Sequence, residues 1–336
     1  MNKYYEQADM SLWHGRIDSE EDYYSFRWHQ YIKPLDLDKE IPETTEGHSI
    51  VIIGYKVDEG IALNKGKRGA ANAPDIVRDF LCNKPCSFTQ ELKLYDGGNI
   101  KFVDSVENSQ KALGKLVAEL LKKGYFPIVI GGGHDVSYGN MSGVYNAINL
   151  NKEKIGFINF DAHFDNRPST QSTSGTMFRQ IRNDMQKIDA KFNHMTIGVQ
   201  KSGNTLALFK YAEEVGTKHI LARNVTMERK EINEYILSEF IKDLDHIYIT
   251  VCTDVFSSAF APGVSAPQPM GIMPDRFMEL FRFLTSSGKV VSFDIAEISP
   301  DLDRSNTTSA LGSIIIYGLV AQFAENAGLD LFEKII

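Results

Sequence analysis

Positive charge is in deficit, cysteine is nearly absent, and no long apolar run interrupts the chain. The 36 Lys and Arg residues against 44 Asp and Glu leave a net charge of −8. Such a balance excludes a sequence-independent electrostatic grip on nucleic acid or anionic lipid. The three cysteines, Cys82, Cys86 and Cys252, are odd in number and two of them are close together. That excludes a disulfide framework and points to a reducing compartment. No segment reaches the ~18 consecutive apolar residues of a membrane span. The opening MNKYYEQADMSLWHGRIDSEEDYY lacks the apolar stretch of a secretory signal. Only 11 prolines occur in 336 residues, of which 43% are hydrophobic, so a sizeable core can form and disorder is excluded. Repeats, low-complexity tracts and linker-like composition breaks are also missing. The expectation is a folded cytoplasmic chain with neither nucleic acid nor membrane as partner.

What is present is a set of short apolar runs that end in polar or glycine-rich loops. They are HSIVIIGYKVDEG (48–60), YFPIVIGGGHD (125–135), KIGFINFDAHFD (154–165), HIYITVCTDVF (246–256) and KVVSFDIAEISP (289–300). Each is β-branched or aromatic and continuous rather than alternating, as in parallel strands buried on both faces. Helical periodicity fills SQKALGKLVAELLKKG (109–124, with Ser109 as the expected cap), ERKEINEYILSEFIKDL (228–244) and PDRFMELFRFLTSSG (274–288). Alternation on this scale predicts an α/β chain wound around a mostly parallel sheet. The first 45 residues, aromatic and charged, are expected to form an irregular or helical lead-in packed on a main domain over 46–336.

In such a sheet, ligands bind beyond the carboxyl ends of the strands. GGGHD, DAHFD, CTD and DIAE all stand there. In DAHFD, a period of two puts Asp161, His163 and Asp165 on one side of an extended segment. Two carboxylates and an imidazole suit Mn²⁺, Fe²⁺ or Zn²⁺. One triplet cannot complete a coordination sphere, and His134 and Asp254 are the nearest candidates to extend it. Each part alone also fits a hydrogen-bonded strand-end turn; a phosphate-binding loop is a poor reading of Gly131-Gly132-Gly133, because no Gly-Lys-Ser/Thr follows.

GGGHD (131–135), NFDAHFD (159–165), the TD of VCTDVF and DIAEISP (294–300) resemble the four signature blocks of the arginase–agmatinase superfamily. The formimidoylglutamase branch is closer still. It is similar in WHGRID (13–18), RWHQ (27–30), DEGIALNKGKRGAANAPDIVR (58–78), TSGTMFRQI (173–181), GVQKSGNTLALF (198–209) and APGVSAP (261–267). The resemblance runs in order over nearly the whole chain. It implies a single arginase-like domain of three αβα layers and a homo-oligomer. It also implies two Mn²⁺ ions that activate water for attack on a planar amidine carbon.

Carried over by position, one ion would be held by His134, Asp161 and Asp165, and the other by Asp161, His163 and Asp254. Asp165 would also move the proton, and Glu297 would pair with the cationic amidine. Two departures stand out. Cys252 occupies the place of a bridging aspartate, and a soft thiol matches Mn²⁺ poorly, which bears on the second ion. Phe178 replaces the histidine that shuttles protons in arginases. Arg167 stands where arginases have asparagine, and a guanidinium grips carboxylates bidentately. Arg167 therefore points to an amidino dicarboxylate, with Ser174, Arg179 and Asn204 as further substrate contacts. The implied reaction is hydrolysis of N-formimidoyl-L-glutamate to L-glutamate and formamide. The alternatives are another guanidino or amidino substrate, or a family member that has lost turnover.

Overall fold

The computed structural model describes residues 3–44 and 48–332, so the expected domain boundary between 45 and 46 lies outside the described residues. The strands are β1 (Tyr5–Glu6), β2 (Lys33–Pro34), β3 (Ser49–Lys56), β4 (Lys93–Lys101), β5 (Tyr125–Gly131), β6 (Ile155–Phe160), β7 (Asn193–Val199), β8 (Lys218–Leu221), β9 (His246–Cys252) and β10 (Val290–Ala296). They form one sheet in the order β1-β4-β3-β5-β10-β9-β6-β7-β8, with β2 also on β4. Every pairing is parallel except β1 with β4.

Continuous apolar strands fit this sheet because both faces are covered. In β3, Ile50 and Ile52 face one core while Val51 and Ile53 face the other, as a side-chain period of two requires. The first core takes helices Ala73–Cys82, Pro274–Thr285 and Thr307–Asn326. The second takes helices Val106–Lys122, Val136–Ala147 and Met177–Lys187. The result is three αβα layers. Helix Thr307–Asn326 is long and apolar enough to cross a membrane. Its apolarity is used in packing, since Ile315, Ile316, Leu319 and Val320 are buried in the first core.

All five expected strands are present, but β4, β7 and β8 were not read from the sequence. The helix expected from 109 begins at Val106, because the Ser105 side chain, rather than that of Ser109, accepts the Asn108 N–H at 3.2 Å. The lead-in carries short 3-10 turns, a single helical turn at Trp28–Tyr31, and β1 and β2 added to the sheet beside β4. Trp13 is buried and donates its indole N–H to Asp96 at 2.7 Å. Asp96 also pairs with Arg78 at 2.8 Å, both groups almost wholly buried. Asp18 accepts from Arg16 and Arg27. Trp13 of WHGRID thus fastens the lead-in to β4, while Arg27 of RWHQ ties back to Asp18 within the lead-in.

Candidate metal centre

Four neighbouring strands, β5, β10, β9 and β6, deliver ionisable side chains to one rim at their carboxyl ends. After β5 the three glycines let the chain press against the end of β3. A Cβ at Gly132 would lie 1.9 Å from the Val57 carbonyl oxygen, while Gly132 and Gly133 donate to Tyr55 and Val57. The glycines serve this close approach, and they place His134 beside the carboxylates that leave β6.

His134 Nδ1 lies 2.9 Å from Asp165 Oδ2 and 3.1 Å from Asp161 Oδ2. His163 Nδ1 lies 3.4 Å from Asp161 Oδ1 and 3.1 Å from Asp254 Oδ2. Two donor groups result, His134–Asp161–Cys252 and Asp161–His163–Asp254, each with ligand atoms within 4.8 Å of one another. Asp161 belongs to both. The backbone is bent to achieve this, since Asp165 and Glu297 adopt φ of +44° and +64°. Left-handed geometry at such residues costs about 1–3 kcal/mol each and collects at functional sites.

Behind His134, Nε2 meets the Thr250 hydroxyl at 2.9 Å. Thr250 donates to Asp294 Oδ1 at 2.5 Å, and Ser137, Asn140 and Tyr248 also donate to that carboxylate. Since the Thr250 proton goes to Asp294, its oxygen accepts from Nε2–H. Nε2–H of His134 is thereby anchored, so that a metal ion displacing the Nδ1 proton would find the Nδ1 lone pair turned toward the carboxylates, as a metal-binding imidazole needs. Thr250 and Asp294 were not singled out from sequence; the available signal was a polar Thr inside the apolar run of β9.

The electrostatics of this rim call for cations. Burial works against charge on His134, yet the hydrogen bonds its Nδ1–H donates to Asp161 and Asp165 raise its pKa well above the usual value. His163 is raised likewise, its burial outweighed by Asp254 and Asp161. Burial, then the charge of Asp161, lifts Asp165 to about 6. Burial lifts Glu297 to about 8. Carboxylates crowded out of water hold protons unless a counter-ion replaces them. Hard oxygens and imidazoles around shared Asp161 fit a pair of divalent ions of the Mn²⁺ class. Cys252 is the discordant donor: burial first, then the surrounding carboxylates, push its thiol well up, so it meets the site as a neutral SH.

The rim opens into a cavity of about 240 Å³ lined by His134, His163, Asp165, Arg167, Ser174, Cys252, Asp254 and Glu297. Ile61, Asn64, Lys65, Gly66, Ser265 and Ala266 complete its wall. A larger cleft, about 880 Å³, lies at the amino ends of β6–β8 and holds none of the candidate site residues. Of the expected substrate contacts, Arg167 and Ser174 line the cavity. Arg179 and Asn204 do not. Arg179 donates to the Asn166 carbonyl and lies over the Tyr211 ring at 3.5 Å. Asn204 donates to the Ala162 carbonyl and accepts from Phe164 N–H. Both brace the DAHFD segment from behind. Phe178 stacks on His194 at 4.0 Å and meets His134 edge-on. The place of a shuttling histidine is therefore part of an apolar backing.

Residues 48–321 match the arginase family model. The formimidoylglutamase of Clostridium tetani is 44% identical over 97% of this chain and 98% of its own length. That of Geobacillus sp. WCH70 is 40% identical over 95% and 97%. Among solved structures, the Trypanosoma cruzi formiminoglutamase with Mn²⁺ superposes with a TM-score of 0.73 at 27% identity, covering 82% of this chain and 93% of that one. The Bacillus subtilis formimidoylglutamase shares the fold, with a TM-score of 0.77 at 22% identity over 89% and 92%.

Proposed function

We infer from a chain that belongs to the arginase family, and within it to the formimidoylglutamases, that the rim pocket hydrolyses an amidine C–N bond. The substrate is N-formimidoyl-L-glutamate, and the products are L-glutamate and formamide. The observation that carries this reading is the sharing of Asp161 between two donor groups, with Arg167, which has no carboxylate partner among the described residues, on the same cavity wall.

We assign one ion to His134, Asp161 and Asp165, with Cys252 beside it, and a second to Asp161, His163 and Asp254. Two such Mn²⁺ ions supply the Lewis acidity that makes water nucleophilic at neutral pH. The protein's own groups do the rest. Asp165 takes the proton released by the attacking water and returns it to the glutamate nitrogen as its bond to the amidine carbon breaks. Glu297 accepts the His134 N–H at 3.0 Å, which fixes its carboxylate in the cavity. An arriving amidinium supplies the positive charge that favours its ionised form, and the two then pair through charge-assisted hydrogen bonds. Phe178 cannot move a proton; protonation of the leaving nitrogen rests on Asp165.

The wider assignment is a cytoplasmic homo-oligomer without nucleic-acid or membrane partners, which the acidic charge supports. The 46–336 domain carries the site, and the buried Trp13 contact to Asp96 supports a lead-in that belongs to it. The test is formamide release by purified protein with and without added Mn²⁺. Release from N-formimidoyl-L-glutamate, lost on chelation and restored by Mn²⁺, is the expected result. Turnover of a different guanidino compound alone would move the substrate, and no turnover of any amidine at metal saturation would leave a non-catalytic member.

A further inference from the structure

Arg167 shares the cavity wall with a second basic side chain of the Lys/Arg type. Lys65 lines the same cavity as Arg167. Among the described residues, neither side chain has a carboxylate partner. Their neighbours differ: Arg68, three residues on, is spent on Asp58 and Glu59, and Lys56 on Asp75. Lys65 also sits at φ +66°, a left-handed conformation that a lysine adopts at a cost.

The loop that holds it spans the cavity mouth. On one side, the Asn64 side chain and the Arg167 side chain converge over Gly175, where an added Cβ would lie 2.8 Å from Asn64 Nδ2 and 3.1 Å from Arg167 Cδ. Ser174 N–H donates to Gly60 and Arg167 N–H to Gly175, which ties these segments into one wall. On the other side, Lys67 N–H donates to Ser265 Oγ at 2.8 Å. Lys65 is therefore carried by a strap anchored at both ends, with Ile61 beneath it in the same lining.

The substrate has two carboxylates at different depths. Once the amidine lies against Glu297 and the metal ligands, the α-carboxylate is one carbon from the amidine-bearing nitrogen. The γ-carboxylate is two methylenes further out. Arg167 is half-buried and Lys65 exposed, in the matching order. Resting on the assigned substrate, we propose that Lys65 is a specificity-determining residue that binds the γ-carboxylate at the mouth, while Arg167 holds the α-carboxylate deeper in.

The test compares N-formimidoyl-L-glutamate with its γ-amide analogue, N-formimidoyl-L-glutamine, in wild type, Lys65→Met, Lys65→Arg and Lys65→Asn. Lys65→Asn removes the cation with a residue that tolerates the left-handed backbone. The ratio of kcat/KM for acid over amide should fall about five- to ten-fold in Lys65→Met and Lys65→Asn, mainly through KM, a solvent-screened ion contact being weaker than a buried one. Lys65→Arg should restore most of it. The rise of KM with ionic strength should be steeper in wild type than in Lys65→Met. Equal losses on both substrates would mean a structural role for the strap, and an unchanged ratio would mean no contact; either overturns the assignment while leaving the enzyme a formimidoylglutamase. Wild-type protein that turns over neither compound would overturn the substrate and Lys65 together.

Discussion

Asp161→Asn should lose catalytic power by on the order of 10³-fold or more, beyond the usual cost of deleting one catalytic contact. The substitution keeps the shape of a side chain that is wholly buried. It removes the one carboxylate common to both donor groups. The amide can present an N–H to His134 or His163, where each imidazole now meets an acceptor at 3.1 and 3.4 Å. Both ions would therefore be weakened at once, whereas Asp254→Asn touches only the group built on His163. Activity assays at several Mn²⁺ concentrations check this. Activity within about ten-fold of wild type at ordinary metal levels would mean that Asp161 is not the shared ligand.

Arg167→Met is expected to raise KM for N-formimidoyl-L-glutamate by about ten-fold or more, equivalent to about 1.5–3 kcal/mol for a lost hydrogen bond to a charged group. Its guanidinium lines the cavity, and its backbone is already fixed by Gly175, so the methionine keeps the wall but not the charge. The effect should fall on KM more than on kcat, because the carboxylate is bound equally before and during the chemistry. Steady-state kinetics on the acid decide it. An unchanged KM would remove the dicarboxylate assignment and leave the metal centre intact.

The metal rim was legible because its residues obey local rules. GGGHD marks a close approach, and it and DAHFD both follow apolar runs that read as buried strands; DAHFD itself is not the extended alternating segment expected but a bend beyond β6, with His163 N–H donating to Asp161 Oδ1 at 2.7 Å and Asp165 at φ +44°. Strands β4, β7 and β8 break the apolar-run pattern for structural reasons. In β4, Asp96, Gly97 and Gly98 interrupt the apolar run because Asp96 pairs with buried Arg78. Asn193, His194 and Thr196 dilute β7, and β8 is a four-residue edge. Arg179 and Asn204 are expected contacts because they stand in the TSGTMFRQI and GVQKSGNTLALF blocks, but membership of a block does not say on which side of a loop a side chain emerges. Lys65 and Thr250 illustrate the converse. Neither has a diagnostic spacing, and each acquires meaning only when the strap crosses the cavity or β9 lies beside β10.

Cys252 keeps the metal content open to direct measurement, since a neutral thiol replaces a hard oxygen next to His134 and Asp161. Elemental analysis of the purified protein, as isolated and after equilibration with excess Mn²⁺ and gel filtration, tests the shared rim most directly. Two ions per chain after equilibration are expected, with activity following their occupancy. A chain that retains none at saturating Mn²⁺ would contradict the convergence of His134, Asp161, His163 and Asp254 on a metal pair.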